Sequence, residues 1–251
     1  MTQTFLRIAE LSKNYGQFEA VKALSLEVHG GEVFGLLGPN GAGKTTTIRM
    51  LMGILQATAG TADIRGLNCF SERAEVMRYV GYLPDEPVFY DYLRGREIIH
   101  FVGQMHDLRR PEIRRRSEPL LERLDLSGDL EEYAVNYSRG MKKKLAVVCA
   151  LMHEPELLIM DEPTNGLDPY ATRTLHELIR DQVGEGRSVF LSTHLLDQAQ
   201  KLCDRIGILH QGRLVALGSL AELRRRASQD STLEEVFFAV TSGEQLEDHT
   251  E

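Results

Sequence analysis

The sequence contains no tryptophan, only three cysteines and no long apolar run. Cys69, Cys149 and Cys203 lack the spacing of a metal site or a disulfide framework, so we expect buried, reduced thiols of a cytosolic protein. The longest apolar run, residues 145–152, is far shorter than the roughly 20 residues of a membrane-spanning helix. The N-terminal residues show no basic segment followed by a long apolar stretch, so no secretory signal is expected.

The sequence also lacks an excess of positive charge. It has 29 Lys and Arg against 37 Asp and Glu, a net charge of -8, which argues against a general nucleic-acid binder. Two basic clusters, "RRPEIRRR" (109–116) and "RRRAS" (224–228), are typical of solvated helix faces, with contact to another protein's loops or to lipid headgroups as the alternative. A chain of 251 residues is long enough for one large domain with a subdomain.

Apolar periodicity predicts strands alternating with helices. Residues 5–37 alternate as strands, and "EVFGLLG" (32–38) reads as a buried strand. An amphipathic helix follows Gly43 and is expected to end near Gly60, before a strand and turn in "TADIRGLN". Residues 86–152 read as mostly helical.

The second half repeats this alternation. It predicts buried strands in "LLIMDE" (157–162) and "SVFLSTH" (188–194), with a helix over residues 171–183 between them. A hairpin turning at Gln211-Gly212 follows, and then a helical tail with a polar, disordered end. The order of elements predicts an α/β fold with a parallel sheet and a helical insertion.

The stretch "GPNGAGKT" (38–45) matches G-x-x-x-x-G-K-[ST] between a predicted strand and a predicted helix, which is the context of a P-loop. Its backbone N–H groups and the helix N-terminus can cradle phosphates, Lys44 can reach the β- and γ-phosphates, and the Thr45 hydroxyl can ligate Mg²⁺. The candidate phosphate-binding residues are Gly38, Pro39, Asn40, Gly41, Ala42, Gly43, Lys44, Thr45 and Thr46.

Two acids end the predicted strand "LLIMDE". Asp161 is placed to hold Mg²⁺ through water, and Glu162 to polarise an attacking water as a general base. With a P-loop upstream, this pair indicates hydrolysis of a nucleoside triphosphate.

Five motifs in order resemble those of the ATP-binding subunits of ABC transporters, over nearly the whole chain. They are "KNYGQFEAV" (13–21), "GYLPDEP" (81–87), "YSRGM" (137–141), "DEPTNGLDP" (161–169) and "STH" (192–194). "YSRGM" and the C-terminal "LEEVFFAVT" (233–241) resemble the antibiotic-resistance and export-type subgroup.

The resemblance implies a P-loop NTPase (RecA-like) parallel-sheet core with an antiparallel β subdomain and an inserted α-helical subdomain. It places the ABC ATPase domain at 1–220, with core and β subdomain in 1–85 and 153–220 and the helical subdomain in 86–152. Residues 221–251 would form a C-terminal helical extension and tail.

The resemblance also assigns roles to single residues. Tyr15 would stack on adenine beside Val21, and His194 would contact the γ-phosphate or the attacking water. Asp168 would lie in the D-loop that crosses to a partner subunit. The signature residues Ser138, Arg139 and Gly140 would bind the ATP held by that partner.

Two motifs depart from the family's usual pattern. Asp85 replaces the glutamine of the Q-loop; its carboxylate remains a candidate Mg²⁺ ligand, directly or through water. In the signature, Arg139 replaces a glycine and Met141 a glutamine.

The helix that Ser138 is predicted to cap begins with an unusual concentration of positive charge. Arg139 and the lysines at 142–144 crowd its first turns, where the helix dipole prefers anions. We interpret this end as facing the γ-phosphate of the partner subunit's ATP, with some of the lysines turned to solvent.

These expectations combine into a transport engine. Two such subunits would close around ATP and Mg²⁺, with a homodimer favoured, and drive a separately encoded membrane permease, in an export direction. The chain would sit at the cytoplasmic face of the membrane as a peripheral subunit, cytosolic when unassembled, without nucleic acid. The alternatives are a soluble ABC-type clamp in translation or DNA maintenance, or a metabolic P-loop kinase.

Overall fold

The computed structural model describes residues 4–227 and 232–242. Ten strands are present in this part of the chain: β1 (Thr4–Tyr15), β2 (Phe18–His29), β3 (Val33–Leu37), β4 (Ala59–Ile64), β5 (Leu67–Asn68), β6 (Val80–Leu83), β7 (Leu157–Asp161), β8 (Ser188–Thr193), β9 (Arg205–His210) and β10 (Arg213–Ser219). The same ranges contain nine α-helices: α1 (Lys44–Leu51), α2 (Arg73–Val76), α3 (Gly95–Met105), α4 (Arg110–Arg123), α5 (Arg139–Leu151), α6 (Pro169–Gly184), α7 (Leu196–Leu202), α8 (Leu220–Ala227) and α9 (Leu233–Ser242).

The larger sheet has six strands in the order β10-β9-β3-β8-β7-β6. All neighbours pair in parallel except β10, which pairs antiparallel with β9. Strands β3, β7 and β8 are buried at every position, because helices and a second sheet cover both faces. The predicted α/β class and its buried strands are confirmed.

Two apolar clusters lie on opposite faces of this sheet, following the two-residue period of the strands. Val33 and Val189 belong to the cluster shared with α5, α6 and α7. Phe34 and Phe190, one residue on, belong to the cluster shared with α1, β1 and β2. Their rings stack with centroids 5.6 Å apart.

The smaller sheet is antiparallel, with four strands in the order β2-β1-β4-β5. Leu6 and Ile8 of β1 and Leu24, Leu26 and Val28 of β2 face its buried side, as their alternation predicted. The sheet packs over α1, so the expected antiparallel β subdomain is present.

The segment between β6 and β7 is largely helical, as expected for residues 86–152, but its first helix, α3, begins only at Gly95. Two other features differ from the prediction, the end of α1 and the presence of β6. Helix α1 ends at Leu51, well before Gly60, because Gly53 turns the chain with a φ of 60° and β4 starts at Ala59. Strand β6 overlaps the start of the Q-loop motif and was not predicted, because four residues at a sheet edge carry no periodic signal.

The predicted hairpin joins β9 to β10, and its turn residues Gln211 and Gly212 both have a positive φ, 48° and 82°. Helices α8 and α9 follow. Leu223, Leu233 and Val236 are fully buried in the same cluster as the core strands. The expected disorder of the polar C-terminal end concerns residues 243–251, outside the described ranges.

The three cysteines lie in the described ranges and are free thiols. Cys69 and Cys203 are buried, and burial raises the pKa of each to about 12, which keeps them protonated and unreactive. No helix within 4–227 and 232–242 has the length and apolar content needed to cross a membrane.

Candidate active site

The P-loop connects the end of β3 to the start of α1 at the carboxyl edge of the parallel sheet. Gly43 adopts a φ of 108°, and a Cβ at this position would lie 2.5 Å from the carbonyl oxygen of Ala20. Only glycine satisfies both the backbone conformation and the close approach of β2. Gly43 thus lets the loop lie against β2, while Asn40, Gly41 and Gly43 line the cavity above the sheet, as the P-loop motif predicts.

Lys44 is the first residue of α1, and its side chain is almost fully buried. Its Nζ donates to the carbonyl oxygens of Gly38 and Pro39 at 2.7 and 3.2 Å. The same atom lies 3.2 Å from Oε1 of Glu162. The P-loop cation and the candidate base are thus brought together from 118 positions apart in the chain.

Glu162 connects the P-loop to His194. Its Oε2 lies 2.9 Å from Nδ1 of His194 and accepts the His194 backbone N–H at 3.3 Å. The Glu162 backbone is in the left-handed region, with a φ of 43°, which costs energy for a residue with a Cβ. Such strain persists only where surrounding contacts hold the residue in place, and it turns this carboxylate from the end of β7 toward Lys44 and His194.

Asp161 lies beneath this group at the end of β7, 1% exposed. Ser192 of β8 donates its hydroxyl to Oδ1 of Asp161 at 2.5 Å, which fixes the carboxylate. Burial, and then the charge of Asp161, raises the pKa of Tyr82 to about 12, so that phenol stays neutral beside the acid.

Asp85 follows β6, the strand that pairs with β7, which carries Asp161 and Glu162 at its end. Its Oδ1 accepts the Asn165 side-chain amide at 3.1 Å and lies 3.9 Å from the guanidinium of Arg139. Arg139 also lies 3.7 Å from Glu86. Two of the residues that depart from the family's usual pattern, Asp85 and Arg139, therefore form an ion pair with each other.

A cavity of about 380 Å³ opens over these groups. Ten of the predicted site residues line it: Tyr15, Asn40, Gly41, Gly43, Lys44, Thr45, Thr46, Asp85, Glu162 and His194. Three further lining residues, Phe18, Ala20 and Asn165, were not predicted.

The aromatic end of the cavity is formed by Tyr15 and Phe18, which pair directly across the tight turn between β1 and β2. Their side chains are 48% and 63% exposed, enough to offer ring faces to a planar ligand. The short turn between two alternating segments was the signal that could have indicated Phe18 along with Tyr15.

Other predicted residues lie near the cavity but do not line it. Val21 is fully buried and packs beneath Gly43, and Ala42 is also buried. Gly38 and Pro39 present their carbonyl oxygens to Lys44. Asp161 lies under the floor.

The signature residues do not line their own chain's cavity, although Arg139 contacts Asp85, which does. Ser138 is the N-cap of α5, where its Oγ accepts the backbone N–H of Met141 at 3.2 Å, as predicted. Ser138 and Arg139 are exposed and Gly140 is partly exposed. Asp168 is likewise exposed; it caps α6 by accepting the Ala171 N–H at 2.9 Å, and this bond lowers the pKa of its carboxyl.

Lys143 is a site residue that the sequence reasoning did not single out. It is 1% exposed, and its Nζ donates to three backbone carbonyl oxygens, those of Pro84, Asp85 and Glu162. Burial lowers the pKa of Lys143 to about 8, against the neighbouring charges of Asp85 and Asp161, which raise it.

A signal for this burial is present in the sequence. Besides the apolar stripe that begins at Met141, helix α5 carries a second one, in which Val147 and Ala150 follow Lys143 at i+4 and i+7. A lysine that starts an apolar stripe is a candidate for a buried cation.

The chain was compared with known proteins. The ABC transporter family model matches residues 21–165. The linearmycin resistance ATP-binding protein of Bacillus subtilis (strain 168) is 36% identical over 91% of this chain and 74% of its own length. The bacitracin transport ATP-binding protein of Bacillus licheniformis is 36% identical over 89% and 72%.

Solved structures give the same result. A structure titled as the ATP-binding subunit of an ABC transporter superposes with a TM-score of 0.90 at 35% identity, over 94% of this chain and 99% of that one. The P-loop NTPase fold expected from the resemblance is confirmed. With a family model over more than half of its length and relatives 36% identical over about nine-tenths of it, the chain belongs to the ABC transporter family, as an ATP-binding and ATP-hydrolysing subunit.

Proposed function

We propose that two copies of this chain close head to tail around two ATP molecules, each bound by the cavity of one copy and the signature of the other. The observation that carries this proposal is the separation of the two half-sites. The cavity gathers Lys44, Glu162 and His194, whereas Ser138 and Arg139 lie exposed at the N-terminus of α5 and do not line it. An exposed helix N-terminus with backbone N–H groups suits a phosphate delivered by a partner.

Within each cavity, the residues divide the work of hydrolysis. The P-loop N–H groups and Lys44 bind the β- and γ-phosphates, and Tyr15 with Phe18 stacks the adenine. Glu162 accepts the proton of the attacking water, and His194, held by the same carboxylate at 2.9 Å, orients the γ-phosphate or that water.

The donor set beside the phosphate position fits Mg²⁺. The Thr45 hydroxyl and the carboxylates of Asp85 and Asp161 are hard oxygen ligands, and few protein ligands are needed where phosphates supply the rest. Thr45 would bind Mg²⁺ directly and Asp161 through water, with Asp85 in either position. When bound, Mg²⁺ would neutralise charge on the phosphates.

A dimerisation assay of Glu162→Gln tests the proposal. The variant keeps the shape of the site but removes the base and one negative charge beside the phosphates, so turnover should fall by about 10²- to 10⁴-fold while ATP binding is kept or tightened. Light scattering should show a dimer with ATP and Mg²⁺ and a monomer without them. A variant that hydrolyses ATP at the wild-type rate, or stays monomeric when saturated with ATP, would contradict the proposal.

We further propose that a groove between the core and the helical subdomain of residues 86–152 receives a cytoplasmic segment of a separately encoded permease. The groove measures about 830 Å³ and is lined by apolar side chains that include Phe89 and Val102. Val88 and Met105 at its edge are 90% and 69% exposed. Single exposed apolar residues are common on protein surfaces, but exposed apolar residues grouped beside a groove indicate a binding surface. On this proposal the subunit would lie peripherally at the cytoplasmic face, and relatives named for linearmycin resistance and bacitracin transport support export as its direction.

Co-purification tests the second proposal. Met105→Asp puts a charge into the groove at a residue that does not line the cavity, so it should abolish capture of the permease and leave ATP binding unchanged. Capture of ribosomes or DNA by the wild-type chain would instead favour the soluble clamp.

A further inference from the structure

Lys143 is a buried cation whose hydrogen bonds go to the backbone of the catalytic machinery. Its Nζ lies 3.0 Å from the carbonyl oxygen of Pro84, 2.9 Å from that of Asp85 and 3.0 Å from that of Glu162. An ammonium has three N–H donors, so these acceptors satisfy it completely. The three carbonyls belong to two segments that follow adjacent parallel strands, β6 and β7.

Fold stability is a weak explanation for this residue. Taking an ammonium out of water is costly, and an apolar side chain of similar size often serves a core at least as well. The adjacent carboxylate of Asp85 lies 3.9 Å away and compensates only in part. The other buried residues of α5 are all apolar, so the helix could have been packed without a charge here. This points to a task that an apolar residue cannot perform.

The contact with Glu162 indicates what that task is. Glu162 holds a strained φ of 43°, and its carbonyl oxygen accepts both the Asn165 N–H at 3.2 Å and Nζ of Lys143. Asn165 in turn donates to the carboxylate of Asp85. If the bond from Lys143 is removed, the backbone of Glu162 can relax, and its carboxylate moves away from Lys44 and His194.

The helix that carries Lys143 also carries the signature. Ser138 and Lys143 are five residues apart on α5, so the end of the helix that meets the partner's ATP is rigidly joined to the point that holds Glu162 and the Q-loop. We propose that Lys143 is a positioning residue that couples the backbone conformation of Glu162 to the position of α5. When the signature of one chain binds the partner's ATP, Lys143 then holds Glu162 of the same chain in the geometry that hydrolysis needs. This inference rests on the proposed role of Glu162 as the base.

The test compares the steady-state ATPase kinetics of the full chain with those of Lys143→Met, Lys143→Arg and the surface variant Lys201→Met, whose residue is exposed on α7. Lys143→Met should lower kcat by about 10- to 100-fold, the size of effect that follows from a small misplacement of a catalytic group. KM for ATP and the stoichiometry of ATP binding should stay within about twofold, because the contacts of Lys44 with Gly38 and Pro39 do not involve Lys143. Lys143→Arg keeps the charge and several donors and should recover much of the rate, and Lys201→Met should match the wild type.

Two results would overturn the inference. The first is a Lys143→Met chain that binds ATP fully and hydrolyses it at the wild-type rate. The second is a decrease in kcat that is fully accounted for by a decrease in the fraction of folded, ATP-binding protein. If Lys143→Met does not fold, Lys143→Gln, which retains two amide donors, takes its place with an intermediate kcat expected, and a wild-type kcat overturns the inference. The Glu162→Gln variant separates the two proposals. If Glu162→Gln hydrolyses ATP at the wild-type rate, Glu162 is not the base. If Glu162→Gln is inactive and Lys143→Met is fully active, only the role of Lys143 is refuted.

Discussion

At the scale of single residues, the cavity depends on ion pairs between residues far apart in the chain. Lys44 is held by two P-loop carbonyls and by Glu162, so its ammonium is already in place for a phosphate to meet. This preorganisation reduces the ordering that nucleotide binding requires.

The variant Lys44→Ala should therefore bind ATP roughly 10- to 100-fold more weakly, since charge-assisted hydrogen bonds are worth about 1.5–3 kcal/mol. Isothermal titration calorimetry measures the effect. Lys144→Ala, a surface lysine on α5, is the matched control and should bind like the wild type. Equal affinities for wild type and Lys44→Ala would show that the P-loop lysine is not in contact with the nucleotide.

The pair formed by Asp85 and Arg139 is a second residue-scale feature. Both side chains are more than a third exposed and their charged atoms are 3.9 Å apart, so the pair adds less than about 1 kcal/mol to stability. Its effect should be on catalysis, because it joins the Q-loop of one site to the signature of the other.

A double-mutant cycle tests this coupling. Asp85→Gln and Arg139→Gly each restore the family's usual residue and remove the charge contact between the two positions, so each should change the ATPase rate. The double variant should lie closer to the wild type than the product of the single effects. Strictly additive effects on kcat would mean that the two departures are independent.

At the scale of elements, α5 combines an exposed N-terminus with a buried body. Leu145, Val148 and Leu151 anchor the helix in the core, while Ser138 caps an end that remains accessible. The anion preference of that end is available for a phosphate because no acidic residue occupies its first turn.

Ser138→Asp separates folding from dimerisation at this helix end. Aspartate is as good an N-cap as serine and favours the helix dipole, so the thermal midpoint should be kept or raised. Its charge would repel the partner's γ-phosphate, so ATP-driven dimerisation should be lost in light scattering. Ser138→Ala is the control: it removes the cap, costs about 1 kcal/mol of stability and leaves dimerisation possible. A Ser138→Asp chain that still dimerises with ATP would place the phosphate elsewhere.

At the scale of the whole molecule, two histidines join the helical subdomain to the core. The rings of His106, after α3, and His153, after α5, stack with centroids 3.7 Å apart, and Nε2 of His153 donates to the carbonyl oxygen of Val80 on β6 at 3.1 Å. Burial lowers the pKa of both, that of His153 to about 4, where the charge of His106 adds to the effect.

This pair should make the fold acid-sensitive. Both folded-state pKa values lie below the unfolded value of about 6.5, so the unfolded chain binds more protons between pH 6.5 and 4. Stability is fully present above pH 6.5 and declines as the pH falls through that window, by on the order of 3 kcal/mol for His153 at about 1.4 kcal/mol per pKa unit. Urea unfolding at several pH values measures the slope. His153→Gln, which keeps a donor for Val80 but does not titrate, should flatten it, and an unchanged slope would contradict the assignment.

The local pattern of the chain was enough to predict the P-loop, the acids Asp161 and Glu162, and the buried strands that carry them. A strand, a glycine-rich turn and a helix N-terminus are neighbours in sequence, and their chemistry follows from spacing alone. The same holds for Ser138 as an N-cap and for the hairpin at Gln211-Gly212, since caps and turns are formed by residues a few positions apart. The short strand β6 and the early end of α1 were not predicted, because an edge strand and a helix terminus depend on what packs against them.

Only the tertiary structure decided which distant groups meet. It placed Lys143 in the core against Pro84, Asp85 and Glu162, although nothing in the charge pattern separates it from its neighbouring lysines. It also paired Asp85 with Arg139 across 54 positions of chain. A local pattern tells which residues share a face of a helix or strand, but contacts between elements depend on how the elements pack, and the burial of a charge depends on the carbonyls that other segments bring to it.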